Sequence, residues 1–94
     1  MEALTEVEIA NFLEEDKLWM LVEGRLVREW RFPDFVAAMA FVNRVAAVAE
    51  EAGHHPDIDI RYNRVRMGLV THDAGGVTER DISMAKHLSH QFSL

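Results

Sequence analysis

Apolar positions recur along this chain in three helical stretches separated by two pairs of alternating, strand-like stretches. Ile9, Phe12 and Leu13 form the apolar face of a first helix. Thr5 with Glu8 reads as a capping box at its start, and Leu4 with Ile9 as the hydrophobic staple around it. Leu18 to Val22 reads as a strand, and Glu23-Gly24 as a turn in which glycine can supply a positive φ. Leu26 to Phe32 reads as a second strand, with Leu26, Trp30 and Phe32 on one side. Pro33 stops that strand and suits the first turn of a second helix, from about Asp34 to Ala52, with Gly53 just beyond its end. Ile58, Ile60 and Tyr62 alternate against Asp59 and Arg61 in a third strand. Asn63-Arg64 is the expected turn into a fourth, where Val65, Met67, Leu69 and Thr71 share a face. Thr78 and Asp81 form a variant capping box for the third helix, with Val77 and Ile82 as its staple. Ile82, Ala85, Leu88 and Phe92 supply the face it buries. The order α-β-β-α-β-β-α predicts an α+β fold, a four-stranded antiparallel sheet with helices packed on one face.

The second helix departs from the amphipathic pattern. Between residues 35 and 49 only Asn43 and Arg44 are polar. A helix apolar all round is buried all round, and 94 residues are too few to enclose one. The pattern therefore predicts a homo-oligomer, dimer or tetramer, built through the second helix and a sheet edge. The length fits a single domain, residues 1–94. With no cysteine there is no disulfide, thiolate ligand or cysteine nucleophile, which suits a reducing, cytoplasmic setting. The acidic start, Met1-Glu2-Ala3-Leu4-Thr5-Glu6, does not read as a signal peptide, and no apolar run reaches the length of a membrane span. The net charge of −6, with only scattered arginines, argues against nucleic-acid binding.

Chemistry concentrates between residues 54 and 72, where three of the five histidines lie: His54, His55 and His72. Imidazole gives and takes protons near neutrality. With Asn63-Arg64 as the turn, Tyr62 faces Val65, Ile60 faces Met67 and Ile58 faces Leu69, and the same register sets His55 opposite His72. Pro56 disfavours helix at His55, so His55 is extended and His54 points back toward the helix end. Glu50, four residues before His54, is placed to orient it. His87 and His90 read as solvated surface. Trp30 reads as core, and Trp19 as either core or a ring lining a site. A metal site on His54, His55, His72 and Asp73 is the rival chemistry, but adjacent residues of an extended chain project to opposite sides, which hinders joint ligation.

The run His54-His55-Pro56-Asp57, Tyr62-Asn63, Thr71-His72-Asp73 and Gly76-Val77-Thr78-Glu79-Arg80-Asp81 resembles the pterin-4a-carbinolamine dehydratases. Upstream, Trp19 with Glu23-Gly24-Arg25, and Phe32 with Asp34 and Phe35, extend the likeness across nearly the whole chain. It departs at Ile58, where the family often has an aromatic residue, and at Gly53, where relatives can carry an acid. The resemblance implies an enzyme that dehydrates 4a-hydroxytetrahydropterin to the quinonoid dihydropterin, with no metal and no organic cofactor. It implies His54 and His72 as the acid/base pair and His55 as the residue that orients the pterin. Glu50 would support the histidines, Thr71, Arg80 and Asp81 would shape the pocket mouth or steady its loop, and Trp19 would be a wall near the ring. It also implies a rival use, as a non-catalytic interaction module in which the apolar second helix holds a protein partner.

Overall fold

Both helix starts that the sequence marks are built as local chemistry requires. In this computed structural model, which describes residues 1–92, helix α1 spans Glu6–Glu15. Thr5 caps it: the Glu8 amide donates to Thr5 Oγ1 at 3.2 Å, and the Thr5 amide donates to Glu8 Oε1 at 2.9 Å. Strands β1 (Met20–Val22) and β2 (Arg25–Arg31) follow, joined through Glu23 and Gly24, both at positive φ. Helix α2 runs Phe35–Ala52, with Asp34 as its N-cap accepting from the Ala37 amide at 2.8 Å. Strands β3 (Asp57–Arg61) and β4 (Arg64–Leu69) lead through a short 3-10 turn, His72–Ala74, to helix α3, Glu79–Gln91. The four strands make one antiparallel sheet in the order β1-β2-β4-β3. The chain is the expected α+β fold.

The sheet's inner face carries Leu26, Trp30, Val65, Met67 and Leu69, all nearly or fully buried. Against them pack Phe41, Val42, Val45 and Ala49 of α2, Ile82, Ala85 and Leu88 of α3, and Ile9 and Phe12 of α1. Trp30 is the hub, edge-on to Trp19 at 5.8 Å and 5.0 Å from Phe41. The other face of α2 is uncovered in the single chain, with Phe35 48% and Val36 76% exposed. Among the described residues, no helix is long and apolar enough to cross a membrane.

The second hairpin corrects the expected turn. The pairs are Arg61 with Arg64, Ile60 with Val65 and Ile58 with Met67, so the turning residues are Tyr62-Asn63, not Asn63-Arg64. Tyr62 accepts a left-handed φ of 52°, unusual for a bulky residue. Contacts beyond the hairpin hold it there. Asn63 Nδ2 donates to the Phe32 carbonyl at 3.0 Å, and the Phe32 amide donates to the Asn63 carbonyl at 2.9 Å. The register moves by two residues, which preserves every face because side chains alternate with period two. The ladder ends at Asp57 with Gly68. His55 and His72 are therefore not a directly opposed pair.

Candidate active site

His54 is delivered by the way α2 ends. Gly53 takes a left-handed φ of 64°, its amide donates to the Glu50 carbonyl at 3.2 Å, and the His54 amide donates to the Ala49 carbonyl at 3.1 Å. This is a Schellman motif, which needs a residue at ease with positive φ after the last turn. It swings the chain out of the helix and sets the His54 ring against the first turn of α3. There His54 Nε2 lies 2.5 Å from Asp81 Oδ1. His54 is 9% exposed and Asp81 fully buried.

Asp81 has two tasks. As the third residue of α3 it completes the capping box, its Oδ2 accepting from the Thr78 amide at 2.8 Å. The same oxygen accepts from Thr71 Oγ1 at 2.8 Å. A buried carboxylate is costly unless its lone pairs are used, and here a hydroxyl, an amide and an imidazole use them, at the positive end of a helix dipole. Arg80 fastens the same corner from outside, its Nη2 donating to the Gly53 carbonyl at 2.8 Å.

Glu50 does not orient His54. It lies 2.8 Å from His55 Nε2, in a pair exposed to solvent. The Schellman turn explains the exchange, because it carries His54 inward and leaves the next residue facing back over the last turn of α2. His72 stands exposed in the 3-10 turn. The loop bearing it is closed by paired Thr71 and Gly76, with the Thr71 amide donating to the Gly76 carbonyl at 3.0 Å. Among the described residues, no three His, Asp or Glu side chains gather as they would around a metal ion. His54 opens on a cavity of about 700 Å³ between the end of α2 and the outer side of α3. Val48, Met84, Arg80 and His87 also line it, whereas His55 and His72 do not.

The chain as a whole has counterparts among known proteins. The family described as Pterin 4 alpha carbinolamine dehydratase matches residues 2–91. The chain belongs to that family. A protein of Acidobacterium capsulatum, provisionally named a pterin-4-alpha-carbinolamine dehydratase, is 60% identical over 85 residues, covering 90% of this chain and 92% of its own. One of the same provisional name from Chloroflexus aurantiacus is 56% identical over 85 residues, 90% and 91% of the two chains. The crystal structure of a transcriptional coactivator/pterin dehydratase from Brucella melitensis superposes with a TM-score of 0.87 at 40% identity, covering 95% of this chain and 97% of that one. A pterin dehydratase-like RuBisCO assembly factor of the alpha-carboxysome shares the fold, with a TM-score of 0.61 at 23% identity over 77% of this chain and 83% of its own.

Within this chain, Trp19 lies in the core, 2% exposed, and is not on the cavity wall. Its Nε1 donates to Ser89 Oγ at 2.9 Å. Ser89 also accepts from Arg28 Nη1 at 2.8 Å and donates to Asp16 Oδ2 at 2.6 Å, so its one proton and both lone pairs are engaged. Burial lowers the pKa of the Arg28 guanidinium and Asp16 opposes that shift. The inward place of Arg28 was legible, since strand alternation sets it with Leu26 and Trp30. His87 is exposed, as its polar setting implied, yet it shares the cavity with His54. Helical spacing is the signal that finds it: Arg80, Ser83, Met84 and His87 follow one stripe of α3.

Proposed function

We propose that this protein dehydrates a 4a-hydroxytetrahydropterin to the quinonoid dihydropterin and water, by histidine acid/base catalysis. The observation that supports it most is a nearly buried imidazole backed by a fully buried carboxylate, in a chain of this family. The reaction breaks the C4a–O bond and forms the C4a=N5 bond. The departing oxygen must gain a proton and N5 must lose one. Each transfer by a positioned group is worth about 10²–10⁴ in rate. His54 and His72 carry these transfers, and His55, steadied by Glu50, orients the pterin. Arg80 fixes the end of α2 beside His54. The test follows the quinonoid product by absorbance, starting from chemically made 4a-hydroxytetrahydropterin. His54→Ala and His72→Ala are each expected to lose at least about 100-fold in rate while staying folded. Full rates in either folded variant would remove that residue from the mechanism, and no acceleration by the wild type would remove the reaction.

The uncovered face of α2 supports self-association. Phe35 and Val36 are exposed beside Ala40, Ala46 and Ala47, and small residues let a second helix approach closely. The chain is expected to sediment as a dimer or tetramer at micromolar concentration, and Val36→Glu to shift it toward monomer. A monomeric wild type would contradict this and turn attention to a different protein as the occupant of that face.

A further inference from the structure

The hydrogen bonds behind His54 have a fixed direction. Thr71 Oγ1 donates its single proton to Asp81 Oδ2 at 2.8 Å, because a carboxylate only accepts. Thr71 Oγ1 also lies 2.8 Å from Thr78 Oγ1. With the Thr71 proton committed, Thr78 must be the donor of that bond. Thr78 Oγ1 in turn accepts from the Arg80 amide at 3.2 Å. The chain of donors therefore runs from the Arg80 amide through Thr78 and Thr71 to Asp81, each member pointing toward the carboxylate. Aligned bonds polarise one another. On its other oxygen Asp81 faces His54 Nε2 at 2.5 Å. The carboxylate can only accept there too, so the proton sits on Nε2 and Nδ1 is the nitrogen left free to take or give one.

We propose that Thr71 is a positioning residue, acting through Asp81 to hold His54 in the Nε2–H tautomer with Nδ1 free, and not a group that binds substrate. Thr71 is 7% exposed, and its proton and one lone pair are already spent. Its main chain also closes the loop that carries His72, through the bridge to Gly76. One hydroxyl thus ties the mount of His54 to the base of the His72 loop. The catalytic consequence rests on the dehydratase reading; the tautomer and the hydrogen-bond order do not.

Thr71→Val keeps the branched shape and removes the hydroxyl, and Thr71→Ser restores it. In the full-length protein labelled with nitrogen-15, the two ring nitrogens of neutral His54 report the tautomer, and exchange of its Nε2 proton with water reports how firmly Asp81 holds it. The wild type is expected to show the Nε2–H form with a slowly exchanging proton. Thr71→Val is expected to speed that exchange by about tenfold, and to lower kcat by about tenfold with KM changed less than twofold. Thr71→Ser should return both toward wild type. A folded Thr71→Val protein with unchanged His54 resonances and exchange overturns the proposal. A change in KM alone would make Thr71 a substrate-binding residue and overturn it as well. If Thr71→Val does not fold, the wild type decides: a Thr71 hydroxyl proton exchanging as fast as a solvated one overturns the assignment. Should the wild type fail to dehydrate the pterin, the nitrogen-15 measurements still test the positioning role, so the two readings fail separately.

Discussion

Asp81→Asn is expected to remove most of the dehydration rate, about 10²–10⁴-fold, in a protein that remains folded. The Thr78 amide aims a proton at Oδ2 of residue 81, and the Thr71 hydroxyl aims a second at the same atom. An asparagine has one acceptor oxygen, and these donors demand it. Its NH₂ group must then occupy the place of Oδ1 and point at His54. His54 Nε2 becomes the acceptor, and the ring proton moves to Nδ1. The imidazole keeps its position, but its Nδ1 can no longer take a proton, and the imidazolium it would form loses the carboxylate that faces it. Asparagine still serves the capping position through its oxygen, so helix α3 keeps its start. Asp81→Ala is the harsher change, because it leaves the Thr71, Thr78 and His54 donors facing an empty site, at about 1–3 kcal/mol for each unsatisfied group. Steady-state rates with nitrogen-15 spectra of His54 check the claim. A folded Asp81→Asn protein with wild-type rates would show that the tautomer of His54 does not matter.

The features legible in the sequence are those fixed by neighbours in the chain. Thr5 with Glu8 and Thr78 with Asp81 are three residues apart, and both capping boxes form. Gly53 ends α2 with the positive φ that its identity suggests. The faces of β3 and β4 follow from alternation alone, which is why they survive an error of two residues in register. What was illegible is what distant segments impose. The two-residue hairpin loop imposes a positive φ on Tyr62, a residue that does not signal one, and Asn63 bonded to Phe32, 31 residues away, anchors the loop there. Asp81 could be read as a cap, but its bond to His54 spans 27 residues and exists only because α2 and α3 end side by side. Trp19 could be read either way, and its bond to Ser89, 70 residues on, places it in the core. Helical spacing sets Glu50 near His54, but that spacing does not survive the turn that ends the helix, and Glu50 meets His55 instead.

Stability is expected to hinge on Trp30, and two substitutions there should separate its ring from its polar atom. Trp30 is 3% exposed and lies between Trp19 and Phe41. It joins the sheet to α2, the helix whose end delivers His54. Trp30→Ala leaves a cavity in a core with little to refill it, at a cost of about 3–5 kcal/mol. A small domain has only about 5–15 kcal/mol in all, so this variant should be largely unfolded at modest urea. Trp30→Phe should behave differently. The Nε1 of Trp30 is buried with no hydrogen-bond partner, so the indole already carries a desolvation penalty that phenylalanine does not. The gain offsets part of the lost volume and of the weaker interaction with the Arg28 guanidinium, which lies 4.5 Å from the ring centroid. The net cost of Trp30→Phe should be under about 1.5 kcal/mol. Urea midpoints of the three proteins, followed by circular dichroism, test both steps. Equal losses for Phe and Ala would mean that the indole N–H is satisfied in solution and that its bond matters more than the ring. A Trp30→Ala midpoint near wild type would mean that the sheet and α2 hold together without the residue that bridges them.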